Sequence, residues 1–116
     1  MKLTPAQLDQ LHAAALALPG AGSELLWDGV TVLKVEGKMF ATFVADALAY
    51  KVADGDFLAL SGLPGVRPAP YLARAHWISI ASTEALPLAE LQAGLAASHR
   101  LVLSKLPKKV RAAYGL

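Results

Sequence analysis

Between Val30 and Val52 the chain passes through three apolar stretches separated by nothing longer than a two-residue turn. Val30–Val35 and Lys38–Ala45 are joined by Glu36-Gly37, and the second stretch reaches Leu48–Val52 through Asp46-Ala47. Connections this short join only antiparallel neighbours, because a parallel pair needs a crossover of a dozen or more residues. In the third stretch Leu48, Tyr50 and Val52 alternate with Ala49 and Lys51, the period-two pattern of a strand with one face in a core. The segment is expected to be a three-stranded meander, and the rest of the chain must cover its apolar face.

Helices are expected on both flanks. Thr4-Pro5-Ala6-Gln7 reads as an N-cap, a first-turn proline and the closing residue of a capping box. Leu8, Leu11, Ala15 and Leu18 follow at helical spacing, with His12 beside that face, until Pro19-Gly20 ends the pattern. Pro87 opens the longest helix, whose apolar stripe is Leu88, Leu91, Leu95, Ser98, Val102 and Leu106. Pro107 interrupts it, and Lys108–Tyr114 forms a terminal turn or short helix stopped by Gly115. Asp54 is read as the N-cap of a short helix over Gly55–Leu60. Trp77-Ile78-Ser79-Ile80 is a further strand. Residues 21–29 are read as a loop with a short extended piece at Leu25-Leu26-Trp27, where Trp27 anchors a core or an edge.

Clustered strands with flanking helices indicate an α+β fold. The expected architecture is an antiparallel sheet, a three-stranded meander plus at least one later strand, with helices packed on one face. Apolar residues make up 55% of the 116 and charged residues 17%, which suits one domain spanning residues 1–116.

Several kinds of chemistry drop out. The chain has no cysteine, which excludes disulfides, thiolate catalysis and Cys-based zinc sites. His12, His76 and His99 share no HxxxH or HxH spacing, so no metal is expected. No phosphate-cradling glycine motif is present, and no serine sits in a nucleophile elbow. Ser98, on the apolar face of the long helix, is expected to bond to the preceding turn or to a loop carbonyl. No run of residues approaches the ~18–20 needed to span a membrane. The N-terminus is amphipathic rather than signal-like. The expectation is a cytoplasmic, bacterial-type, non-enzymatic protein without a cofactor.

Binding-capable side chains gather on Pro64–Trp77, which carries Arg67, Tyr71, Arg74, His76 and Trp77 among three prolines. Proline fixes φ and donates no hydrogen bond, so this segment is read as an ordered loop. Charge is also unevenly distributed. Residues 1–56 carry four basic and seven acidic side chains, and residues 57–116 carry seven and two. Beyond Glu90 come Arg100, Lys105, Lys108, Lys109 and Arg111 with no acid. Such a surface suits phosphates or an acidic partner, or is simply a solvated helix end.

Lys34-Val35-Glu36-Gly37-Lys38-Met39-Phe40-Ala41 resembles a hairpin of the MmcQ/YjbR family. Gly65-Val66-Arg67-Pro68-Ala69-Pro70-Tyr71-Leu72, His76-Trp77 and Ser98-His99-Arg100-Leu101-Val102 with Lys105-Leu106-Pro107-Lys108-Lys109 resemble its later motifs. Leu16-Ala17-Leu18-Pro19-Gly20 is similar to the end of its first helix. The matches keep their order over about residues 10–110. The resemblance implies a compact α+β domain likened to CyaY/frataxin, a DNA-binding label, and no catalytic residue or cofactor. Two departures stand out: the turn at Asp46-Ala47 is short, and His99 stands where Tyr is common.

The candidate nucleic-acid contacts are Lys34, Lys38, Arg67, Arg74, His76, Lys105, Lys108, Lys109 and Arg111, with Tyr71 and Trp77 either stacking on bases or packing in the core. Arg67 can instead tie the proline loop to carbonyls or a carboxylate. The alternative function is a protein- or small-ligand-binding module, with homodimerisation covering apolar surface. Expected partners are therefore DNA or a second copy of the chain, with no membrane and no metal.

Overall fold

The meander forms as expected and is extended at both ends. The computed structural model describes residues 1–26, 29–44, 46–70 and 72–116. The chain runs α1 (Pro5–Leu16), β1 (Ala21–Leu25), β2 (Thr31–Val35), β3 (Lys38–Val44), β4 (Ala47–Lys51), α2 (Phe57–Ser61), β5 (Val66–Pro68), β6 (Trp77–Ile80), α3 (Leu88–Ser104) and α4 (Lys108–Ala112), with a 3₁₀ turn at Ala73–Ala75. The strands form one antiparallel sheet in the order β1-β2-β3-β4-β6-β5. Glu36 (φ 50°) and Gly37 (φ 75°) both adopt positive φ at the β2–β3 turn. That is the type I′ requirement, whose twist matches the strands it joins. The roles expected for Trp27 and Tyr71 fall outside the described residues.

Four local expectations about the elements are corrected. Residues 21–25 are a strand, not a loop: β1 pairs from Ala21↔Val35 to Leu25↔Thr31. Gly22, Ser23 and Glu24 are exposed, so β1 forms by hydrogen bonding to the free edge of β2 rather than by burying an apolar face. The proline segment likewise contains a strand. Val66–Pro68 pairs with β6, and Pro68 is tolerated because β5 is the opposite edge of the sheet. Asp54 caps no helix. α2 begins at Phe57 after Asp56, which makes no side-chain cap bond, and α3 ends at Ser104 rather than Leu106.

Both long helices lie on one face of the sheet. The capping box of α1 is intact, with Gln7 N–H donating to Thr4 Oγ1 (3.1 Å) and Thr4 N–H to Gln7 Oε1 (3.0 Å). Leu8, Leu11 and Ala15 of α1 and Leu91, Leu95 and Leu103 of α3 pack with Leu33, Phe40, Leu48, Ile78 and Ile80. A β-bulge at Leu33/Lys34 shifts the β2–β3 register. It lets Phe40 and its neighbour Ala41 both reach this core.

The bulge and the end of β4 are fastened by Ser98. Its hydroxyl donates to the Phe40 carbonyl (2.6 Å) and accepts from the Lys51 N–H (3.0 Å). It therefore satisfies two strand groups, not a turn or a loop carbonyl. His99 Nε2 donates to the Pro19 carbonyl (2.7 Å), tying α3 to the end of α1. The imidazole lies edge-on to Phe40 with centroids 5.2 Å apart. In this chain His99 is thus a buried fastening.

The other face of the sheet is finished lightly. Ala49, Ala69 and Trp77 are buried there, with Met39 and Leu72 packed against them. The segment leading from β5 through the 3₁₀ turn supplies Ala69 and Leu72. Trp77 is the core anchor of this smaller cluster.

Candidate functional site

The lightly covered face ends in a cleft of about 500 Å³. Its lining joins four elements: Gly37, Lys38 and Met39 at the start of β3, Lys51 and Trp77 paired across β4 and β6, and Val102, Lys105 and Leu106 at and just past the end of α3. Each position has a local cause. The I′ turn places Lys38 at the first residue of β3. Strand alternation turns Lys51 away from the core that holds Tyr50, towards the face of Trp77. α3 ends at Ser104, which leaves Lys105 and Leu106 at the rim.

Three lysines therefore line one cleft whose apolar lining is Met39, Trp77, Val102 and Leu106, and no carboxylate is among the lining residues. Lys38 and Lys105 are exposed and Lys51 is half-buried. The Lys51 ammonium donates to the Ala75 carbonyl, which fixes the proline segment against the sheet. Asp54 is the acid that feels these charges. His76 Nδ1 donates to its Oδ1 (2.6 Å), and that hydrogen bond, then the His76, Lys105 and Lys51 charges, hold the Asp54 carboxyl below its usual value. His76 sits in the left-handed region (φ 62°), with its ring 5.1 Å from that of Phe57.

The remaining expected contacts divide. Lys34 lies opposite Met39 in the β2–β3 register, beside the cleft, but its ammonium is paired with Glu24 (2.8 Å). Arg74 is exposed and adjoins Ala75. Lys108 and Lys109 are exposed on α4, which follows Lys105 after Leu106 and Pro107. Arg111 is half-buried, and its Nε is shielded from solvent without a hydrogen-bond partner among the described residues. Arg67 stands apart: on edge strand β5, opposite Ser79, it lines a different cavity with Asp46 and Gly65. The expected basic surface is therefore partly assembled. Lys38 and Lys105 converge, Lys34, Arg74 and His76 lie on its borders, and Arg67 does not join it. Lys51 was not among the expected contacts; the alternation that points it away from Tyr50 was its only sequence signal.

Trp77 is 4% exposed, so it shapes the floor rather than offering a face for stacking. What the cleft presents to a ligand is positive charge and N–H donors over an apolar base. Among the described residues no three His, Asp or Glu side chains are grouped to hold a metal ion.

The arrangement can be set beside known proteins. The YjbR family model matches residues 16–101. The chain belongs to the YjbR family. A search of curated proteins found no match. Among solved structures, a structural-genomics target from Pseudomonas syringae matches this YjbR chain with a TM-score of 0.68 at 18% identity, covering 80% of this chain and 96% of that one. At that identity the likeness speaks to the fold. The family match spans the Lys38 hairpin, Lys51, the proline segment and most of α3, and it stops before Lys105.

Proposed function

We propose that this YjbR-family chain is a non-enzymatic DNA-binding domain that seats the phosphate backbone in the lysine cleft. The observation that supports it is the convergence of Lys38, Lys51 and Lys105 on one cleft with no lining carboxylate. Ammonium groups held near one another repel, and a phosphate relieves that repulsion while replacing counterions on the nucleic acid. Lys108 and Lys109 extend the same charge along α4. With Trp77 buried in the floor, the site reads backbone and not bases, so binding is indifferent to sequence. Contact with DNA also sets the protein in the cytoplasm; no helix among the described residues is long and apolar enough to cross a membrane.

Fluorescence anisotropy with short duplexes of unrelated sequence tests this reading. The expected result is comparable affinity for all duplexes and a steep loss with salt. The three cleft lysines alone correspond to a slope of about −2.7 in log K against log salt. Absence of binding at about 50 mM salt would overturn the proposal.

A second reading rests on β1. This terminal strand carries Leu25 at 74% exposure, and a free strand edge accepts another strand. A second copy of the chain joined there would raise the sedimenting mass with concentration, and Leu25→Lys would restore the monomer.

A further inference from the structure

A separate cavity of about 490 Å³ lies between α3, the end of β4 and α2. Its lining along α3 is small and uncharged at Ala93, Gly94 and Ala97, and Leu60 of α2 forms part of the opposite wall. Into it faces Tyr50, a residue only 3% exposed. Its hydroxyl has no hydrogen-bond partner among the described residues. A side chain at Gly94 would collide with that hydroxyl, so glycine makes the room it occupies. The hydroxyl is not sealed from solvent, so a ligand in the cavity would exchange water for its own hydrogen bond to the phenol. Burial, then the Glu90 charge, push the phenol up to about 12, so it stays neutral at physiological pH.

Charge is arranged along the cavity's length. Glu90 lies about one helical turn before Gly94, and Arg100 lies six residues after it, about 9 Å along the axis. One end therefore holds a carboxylate and the phenol, the other a guanidinium, with apolar wall between. Asp56 completes the charged lining, and Lys51 borders it at the end of β4 with its ammonium turned to the other face of the sheet. The Lys51 ammonium is already engaged by the Ala75 carbonyl, and Asp56 stands on the α2 side.

We propose that this cavity binds an elongated amphoteric small molecule, with its amine at Glu90 and the Tyr50 hydroxyl, its carboxylate at Arg100, and its apolar stem over Ala93 and Ala97. Neither Lys38 nor Lys105 lines this cavity, and its occupancy does not depend on DNA binding.

Amide NMR titration with ω-aminooctanoate, and with octanoate and octylamine as single-ended controls, tests it. The expected result is saturable shifts at Leu60, Gly94 and Ala97, with the amphoteric probe about fivefold tighter than either control. Arg100→Gln and Glu90→Gln should each remove that advantage. Asp56→Asn should leave affinity within about twofold. Ala97→Leu, at an exposed helix position, should abolish binding while the spectrum stays dispersed, and Lys38→Gln/Lys105→Gln should leave it unchanged. Equal affinity for the three probes, binding that survives Ala97→Leu, or a larger loss from Asp56→Asn than from Glu90→Gln would each overturn the proposal.

Discussion

The two faces of the sheet are built by different means. On the helix face, Leu11, Phe40, Leu91, Leu95 and Leu103 interlock in one continuous core. On the other, Ala49, Ala69 and Trp77 make a small cluster under a proline-rich strap, and lysines occupy the margin. Burial of large side chains dominates stability, whereas half-exposed ammonium groups contribute little to it. The helix face holds the fold, and the lightly covered face keeps its lysines at the margin, where the proposed phosphate contact would be made.

Substitutions can break that contrast. Phe40→Ala removes a fully buried ring from the helix face and should cost about 3–5 kcal/mol in chemical denaturation; a loss below about 1 kcal/mol would show that this core does not carry the fold. Alkaline pH probes the same face through Tyr50. Its pKa is raised in the folded protein to about 12 from 10.0, so its contribution is fully present below pH 10 and lost as pH rises towards 12. The loss should reach about 3 kcal/mol at most, and Tyr50→Phe should flatten it. Ser98→Ala strands the Phe40 carbonyl and the Lys51 N–H, at a cost of about 1–3 kcal/mol, with faster hydrogen exchange at the Lys51 amide. On the open face, Lys34→Ala breaks a half-exposed pair with Glu24 and should change stability by less than about 1 kcal/mol. A cost there as large as that of Phe40→Ala would erase the contrast.

Where the fold was legible, the signals were local. Thr4, Pro5 and Gln7 spell out a helix start within four residues, and Gly37 marks its turn by its tolerance of positive φ. The alternation of Leu48, Ala49, Tyr50 and Lys51 assigns each side chain to the correct face. β1 was hidden because Gly22, Ser23 and Glu24 bury nothing; only the free edge of β2 makes them a strand. β5 was hidden because Pro68 argues against a strand everywhere except at an edge, and edge position is a property of the finished sheet. The site shows the same division. Lys38 and Lys105 stood out as charges, but their meeting with Lys51 depends on a hairpin, a strand end and a helix end coming together. Asp54 looked like a cap because its true partner, His76, is remote in sequence.

Whether the lysine cleft seats phosphates is decided most directly by the salt dependence of duplex binding for the wild-type chain and for Lys38→Gln/Lys105→Gln, two exposed positions whose replacement leaves the core intact. Each phosphate-contacting lysine contributes about one unit to the slope of log K against log salt. The double variant is expected to bind more weakly on every sequence, with its slope reduced by about two. An unchanged slope and affinity would contradict a phosphate-binding role for the cleft.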